Sequence, residues 1–156
     1  MSSNQNKNNN AECQANDRVR QCVKRIVECM GLRYLFASRC EANLLVGEGD
    51  FPVVIDVLPT SGSVSIRQGY FRDAPNHLLF FCDKTDLDYN AEREQPKVAR
   101  MKQLAFEFIA EANKSGYFEP ITDATYEVMY DRTDVAVSGV ALSLTLQDAV
   151  GVCVCV

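Results

Sequence analysis

The run 77-HLLFFCD-83 restricts the fold more than any other part of the chain. Five successive apolar residues leave no polar face on a strand of period two, so a strand here must be covered on both sides. It belongs at the centre of a sheet, and the rest of the chain must supply neighbours for it. In 51-FPVVIDVLP-59 a β-branched apolar run is bracketed by Pro52 and Pro59, which suits a second strand with a buried middle. A Ser-Gly turn at 61-SGS-63 then leads to Val64 and Ile66 in alternation with Ser65 and Arg67, and together these read as a hairpin with one polar face.

Two helices are expected to cover such a sheet. Val19, Cys22, Val23, Ile26, Val27 and Met30 recur at three- and four-residue steps behind a cap at Asn16 or Asp17, with a stop near Gly31. Val98, Met101, Leu104, Ala105, Phe108, Ile109 and Ala112 form a second stripe, closed by Gly116. Between the first helix and the first strand, 32-LRYLFASRCEANLLVGEGD-50 reads as a further helical turn followed by a turn at Gly47 to Gly49.

The last third alternates like strand. Tyr126, Val128 and Tyr130 share one face, Asp131 to Asp134 make a turn, and 135-VAVSGVALSLTLQ-147 forms a long strand. Its apolar positions change phase, odd at Val135 and Val137 but even from Val140 to Leu146, which predicts a bulge or kink at Ser138-Gly139. A final alternation, 152-VCVCV-156, follows. The expectation is an α+β fold: a mostly antiparallel mixed sheet packed against two main helices, with a long kinked C-terminal strand ribbon. A flexible Asn/Gln-rich tail at 1–11 precedes a single domain at 12–156.

Composition excludes several functions. A formal charge of −5 argues against a sequence-independent grip on DNA or RNA. Arg18, Arg20, Lys24, Arg25, Arg33 and Arg39 do cluster, but between apolar positions, as a solvated face or a subunit contact would. The seven cysteines are odd in number and read as reduced thiols of a cytoplasmic protein. MSSNQNKNNN has no apolar core of a signal peptide, and 78-LLFFC-82 is too short to cross a bilayer.

The acidic connection 83-DKTDLDYNAERE-94 is the first candidate site. Asp86, Asp88 and Asn90 match the first three ligand positions of a calcium loop, but Ala91 stands where the sharp turn needs Gly and Lys97 where the bidentate Glu belongs. A looser carboxylate site for magnesium or calcium stands beside a plainer reading. In that reading Asn90 caps the following helix, Glu92 and Glu94 favour its positive end, and Pro96 falls in its first turn. The 153-CVC-155 pair lacks the second ligand pair that zinc requires, so no metal or other cofactor is expected. His77 is the one histidine; partnered with Cys82 or Asp83 it would be the route to enzyme chemistry, but no nucleophile motif accompanies it. No catalytic residue is assigned.

The stretch 126-YEVMYDRTDVAVSGVALSLTLQDAVGVC-153, an aromatic strand, an Asp-rich turn, a V-S-G-V kink and a leucine-alternating strand, resembles the small α+β tail-terminator and tail-completion proteins of tailed phages and prophages. The resemblance extends to the order of elements over residues 17–156. It implies a non-enzymatic virion subunit, assembled in the host cytoplasm, that forms a homo-oligomeric ring, often sixfold, at the tail or neck. Its partners would be other tail or neck proteins, with no sequence-specific nucleic-acid binding and no membrane. Val152, Val154 and Val156, with Arg18 and Arg25, are the candidate interface residues, since long terminal strands leave edges that ring closure can pair. The alternative is a small cytosolic ligand- or metal-binding interaction domain built on the acidic loop at 83–94.

Overall fold

The computed structural model describes residues 9–38, 51–84, 91–129, 137–150 and 152–153. It is an α+β fold with two helices and a mostly antiparallel sheet. The elements in chain order are α1 (Asn9–Cys29), β1 (Arg33–Ala37), β2 (Val53–Val57), β3 (Gly62–Arg67), β4 (Tyr70–Lys84), α2 (Ala91–Ser115), β5 (Thr125–Met129), β6 (Val137–Thr145) and β7 (Val152–Cys153). The main sheet has the order β1-β2-β4-β6-β5, and β3 and β7 both pair with β4. Among the described strands only β1 and β2 run parallel, and the other pairings are antiparallel.

The apolar run at 77–83 occupies the centre as expected, flanked by β2 through Leu78–Cys82 and by β6 through Asn76–Lys84. Its helix-covered face is buried, and on the other face Cys82 is buried next to half-buried Leu78 and Phe80. Leu79 and Phe81 join Val54, Val140, Leu142, Leu144 and Leu146 in a core with the apolar stripes of α1 and α2, where Phe81 meets Phe108 edge to face with ring centroids 6.1 Å apart. Cys82 lies on the other face in a second core with Ala37, Val53, Ile55, Val57, Met129, Val137 and Ala141.

Several expectations need correction. Helix α1 begins at Asn9, not at Asn16 or Asp17, so the last residues of the expected tail are helical. Ala11, Glu12, Gln14 and Ala15 are good helix formers, and extending an existing helix costs far less than nucleating one. Its end is as expected: Gly31 N–H bonds the Glu28 carbonyl and Leu32 N–H bonds the Val27 carbonyl, the paired bonds of a Schellman stop. In place of a helical turn after it, Arg33–Ala37 forms a strand, because pairing with β2 outweighs local preference. Helix α2 starts at Ala91, which puts Pro96 sixth, beyond the first turn; the pyrrolidine then removes the N–H that would bond the Glu92 carbonyl.

The expected hairpin is displaced. β2 and β3 are both antiparallel to β4, so they are one strand path interrupted at 58–61, with Asn76 N–H still bonding the Ser61 carbonyl. The reversal comes later, at Gln68 and Gly69, whose φ angles of 47° and 80° make a two-residue turn of the kind that matches strand twist, with Arg67 paired to Tyr70. β6 and β7 form a similar interrupted path on the opposite side of β4, linked by the bonds of Leu146 and Asp148 N–H to the Pro75 and Asp73 carbonyls.

No bulge interrupts β6 at Ser138-Gly139. The ladder from Val137↔Lys84 to Thr145↔Asn76 runs without a slip, and Met129 pairs with Gly139 in the same register as the rest of β5. The change of apolar phase has another cause: residues 137–142 are all buried, so both faces accept apolar side chains there. Gly139 is nonetheless special. A Cβ at this position would sit 1.8 Å from the Phe81 carbonyl oxygen and 2.9 Å from its carbon, so the close approach of β4 and β6 requires glycine.

Candidate functional site

Three features could carry function: a buried polar cluster, a cleft at one end of the sheet, and an exposed strand pair beyond the core. The cluster forms because β1, β2 and β4 each place one polar residue on the helix-covered face. Asp56, fully buried, accepts a hydrogen bond from the Tyr34 hydroxyl at 2.7 Å and faces His77 Nδ1 at 3.4 Å. His77 is 4% exposed, and its Nε2 has no hydrogen-bond partner. The carboxylate orients the ring as it would in a hydrolase, but Nε2 is sealed from solvent, and no described nucleophile bonds it.

The expected couples of His77 do not form. Cys82 is an odd number of residues away on the same strand and therefore on the opposite face, within the second core. Burial, with a smaller push from the Asp83 carboxylate, raises the Cys82 thiol to about 12, so it is a protonated, inert thiol at neutral pH. Burial also raises Cys22, chiefly by desolvation. Asp83 lies six residues along the strand from His77 and accepts a hydrogen bond from Lys84 N–H.

The cleft has a volume of about 520 Å³ and opens where β2 ends and β4 enters the core sheet. Thr145 Oγ1 donates to Asn76 Oδ1 at 2.8 Å, and Asn76 Nδ2 donates to Ser61 Oγ at 3.1 Å, a hydrogen-bonded chain across three neighbouring strand paths. Leu58, 49% exposed, supplies an apolar wall. With Asp123 the one carboxylate among its lining residues and no Lys or Arg, the cleft disfavours anions.

The third feature is the arm formed by β3 and the first residues of β4. Every residue of β3 is exposed, and Val64 and Ile66 are 54% and 62% accessible. At the opposite side of the sheet, β5 exposes Thr125, Tyr126 and Glu127, and Tyr126 packs edge to face on exposed Phe106 of α2. Lys102 Nζ sits 4.5 Å from the Tyr126 ring centroid and 5.7 Å from that of Phe106.

The remaining residues singled out in the sequence are scattered. Asp86, Asp88, Asn90, Val154 and Val156 lie outside the described residues. Val152 pairs with Phe71, so this strand is part of the chain's own sheet. Arg18 is committed to an ion pair with Asp148 at 3.6 Å, whereas Arg25 is exposed on α1. Arg20 stacks on Phe36 at 4.6 Å and Lys24 pairs with Glu28, so half of the basic cluster is engaged within the chain, while Arg39 lies outside the described residues. Among the described residues no group of three or more His, Cys, Asp or Glu side chains could hold a metal, and no helix is long and apolar enough to cross a membrane. Sequence reasoning missed Asp56 and Tyr34; the signal available was the lone carboxylate inside 53-VVIDV-57, a strand otherwise apolar on both faces. Comparison with protein-family models, with curated proteins and with solved structures gave no match.

Proposed function

We propose that this chain is a non-enzymatic assembly subunit, a ring-forming tail-terminator or head-tail joining protein of a tailed phage or prophage. The observation that carries the reading is the arm: a wholly exposed β3 bearing Val64 and Ile66 at 54% and 62% accessibility. An exposed apolar edge strand invites indiscriminate pairing in a monomer, and a subunit whose edges are consumed by assembly has a use for it. The open side of β5, with Tyr126 and Phe106 exposed beside it, supports the same reading, since aromatic side chains are enriched at interfaces. The acidic charge of −5 suits a ring through which DNA slides without being gripped.

Native mass by light scattering, followed by negative-stain imaging, tests the proposal. Closed rings of several copies are the expected result, and a monomer at the highest attainable concentration would refute ring formation by the chain alone. The other reading, a small binding module using the acidic loop at 83–94, predicts a calcium or magnesium heat signal in calorimetry that the assembly reading does not.

A further inference from the structure

We infer that the ring is closed by continuation of the sheet from copy to copy, the β3 arm of one subunit lying edge to edge along β5 of the next. This rests on the ring-forming reading above and specifies its interface. The topology places the two strands on opposite sides of the sheet. β3 and β7 both pair with Tyr70 and Phe71 of β4 and so flank it on different sides; β7 follows the path of β6, whose outer neighbour is β5. Among the described residues β3 has no strand on its outer side and neither does β5. Two open edges facing opposite ways give a head-to-tail contact, the kind that repeats around a ring, whereas arm-to-arm pairing would stop at a dimer.

The chemistry of the two edges is complementary. Val64 and Ile66 on the arm and Tyr126 and Phe106 beside β5 are the exposed apolar partners. On the arm Arg67 is exposed while Arg72 is held by Glu119, whereas 121–129 carry Asp123 and Glu127, with Lys102 of α2 over the Tyr126 ring. An arm therefore brings its exposed Arg67 to an edge that carries Asp123 and Glu127, whereas two paired arms would bring one Arg67 towards another. The lengths also agree, six residues in β3 and five in β5. β1 is the weaker acceptor: its residues are only partly exposed, Arg20 covers Phe36, and it faces the same way as β3.

The test uses the full chain in three forms: wild type, Ile66→Lys in the arm and Tyr126→Lys in the acceptor edge, with circular dichroism to verify folding. Glu127→Arg replaces the second variant if Tyr126→Lys does not fold. Light scattering should find the wild type oligomeric and each variant monomeric. An equimolar mixture should give a single species of twice the monomer mass, because the intact edge of one variant accepts the intact arm of the other once and the series then ends. A wild-type oligomer whose variants remain oligomeric alone, or whose mixture stays monomeric, overturns the arm-to-edge contact and leaves the ring reading standing. A monomeric wild type overturns both.

Discussion

Gly139→Ala should be among the most damaging single substitutions in this chain, although it adds one methyl group. The new Cβ would lie 1.8 Å from the Phe81 oxygen, 2.9 Å from the Phe81 carbonyl carbon and 3.1 Å from Cys82 Cα. All three are backbone atoms of the central strand, so no rotamer change relieves the clash; β4 and β6 must separate locally. Overpacking of this kind costs about 1–3 kcal/mol. Separation also breaks or stretches ladder bonds at Gly139↔Cys82 and its neighbours, each worth about 1 kcal/mol when buried, which brings the total to about 3–5 kcal/mol. At roughly 3 °C per kcal/mol for a chain of this length, the melting temperature should fall by about 10–15 °C. Urea unfolding followed by circular dichroism measures the loss, with Ser143→Ala, exposed on the same strand, as the control. A Gly139→Ala protein within about 0.5 kcal/mol of wild type would refute the close approach and restore a kink as the role of this glycine.

Three further outcomes are expected. Asp56→Ala should destabilise by about 1–3 kcal/mol because it leaves the buried His77 Nδ1 without its partner, and Tyr34→Phe by about 1 kcal/mol; a double-mutant cycle in urea should show the two to be coupled. The folded Cys82 thiol titrates near 12 against an ordinary 9, so its contribution to stability is complete below pH 9 and declines above it by about 1.4 kcal/mol per pH unit; Cys82→Ala should remove that slope, and iodoacetamide at pH 8 should modify exposed Cys29 while sparing Cys82. Truncation after Leu146 should yield insoluble protein, since it removes the Arg18–Asp148 pair, the bonds tying Gln147 and Ala149 to Glu119 and Tyr117, and β7; a soluble, cooperatively melting product would contradict this.

Much of the scaffold was legible because its signals were redundant. The both-faces-apolar run placed β4 at the centre, and the two helical stripes gave α1 and α2, with Val23, Val27, Met101 and Phe108 all fully buried. What failed depended on information held by a partner strand. Arg33–Ala37 is a strand because β2 lies beside it, and no local pattern says so. The hairpin was misplaced because Gly62, in a promising Ser-Gly sequence, lies inside a strand, while Gln68-Gly69 lacks the usual Asn or Asp signal. The phase change in β6 has two causes that look alike in sequence, a bulge or two buried faces, and only the covering layers distinguish them. Of the candidate site, the Val64 and Ile66 alternation was visible, but the sequence could not show that both side chains are exposed.

β4 spans fifteen residues, about 50 Å of nearly continuous backbone, and serves both the arm and the sheet centre. A pull on the arm along its axis is therefore delivered straight into nine pairings with β6 and five with β2, which would all have to slide together before any one could yield. The core acts as an anchor loaded in shear, and tension transmitted through the arm would be carried along one unbroken strand into the middle of the sheet.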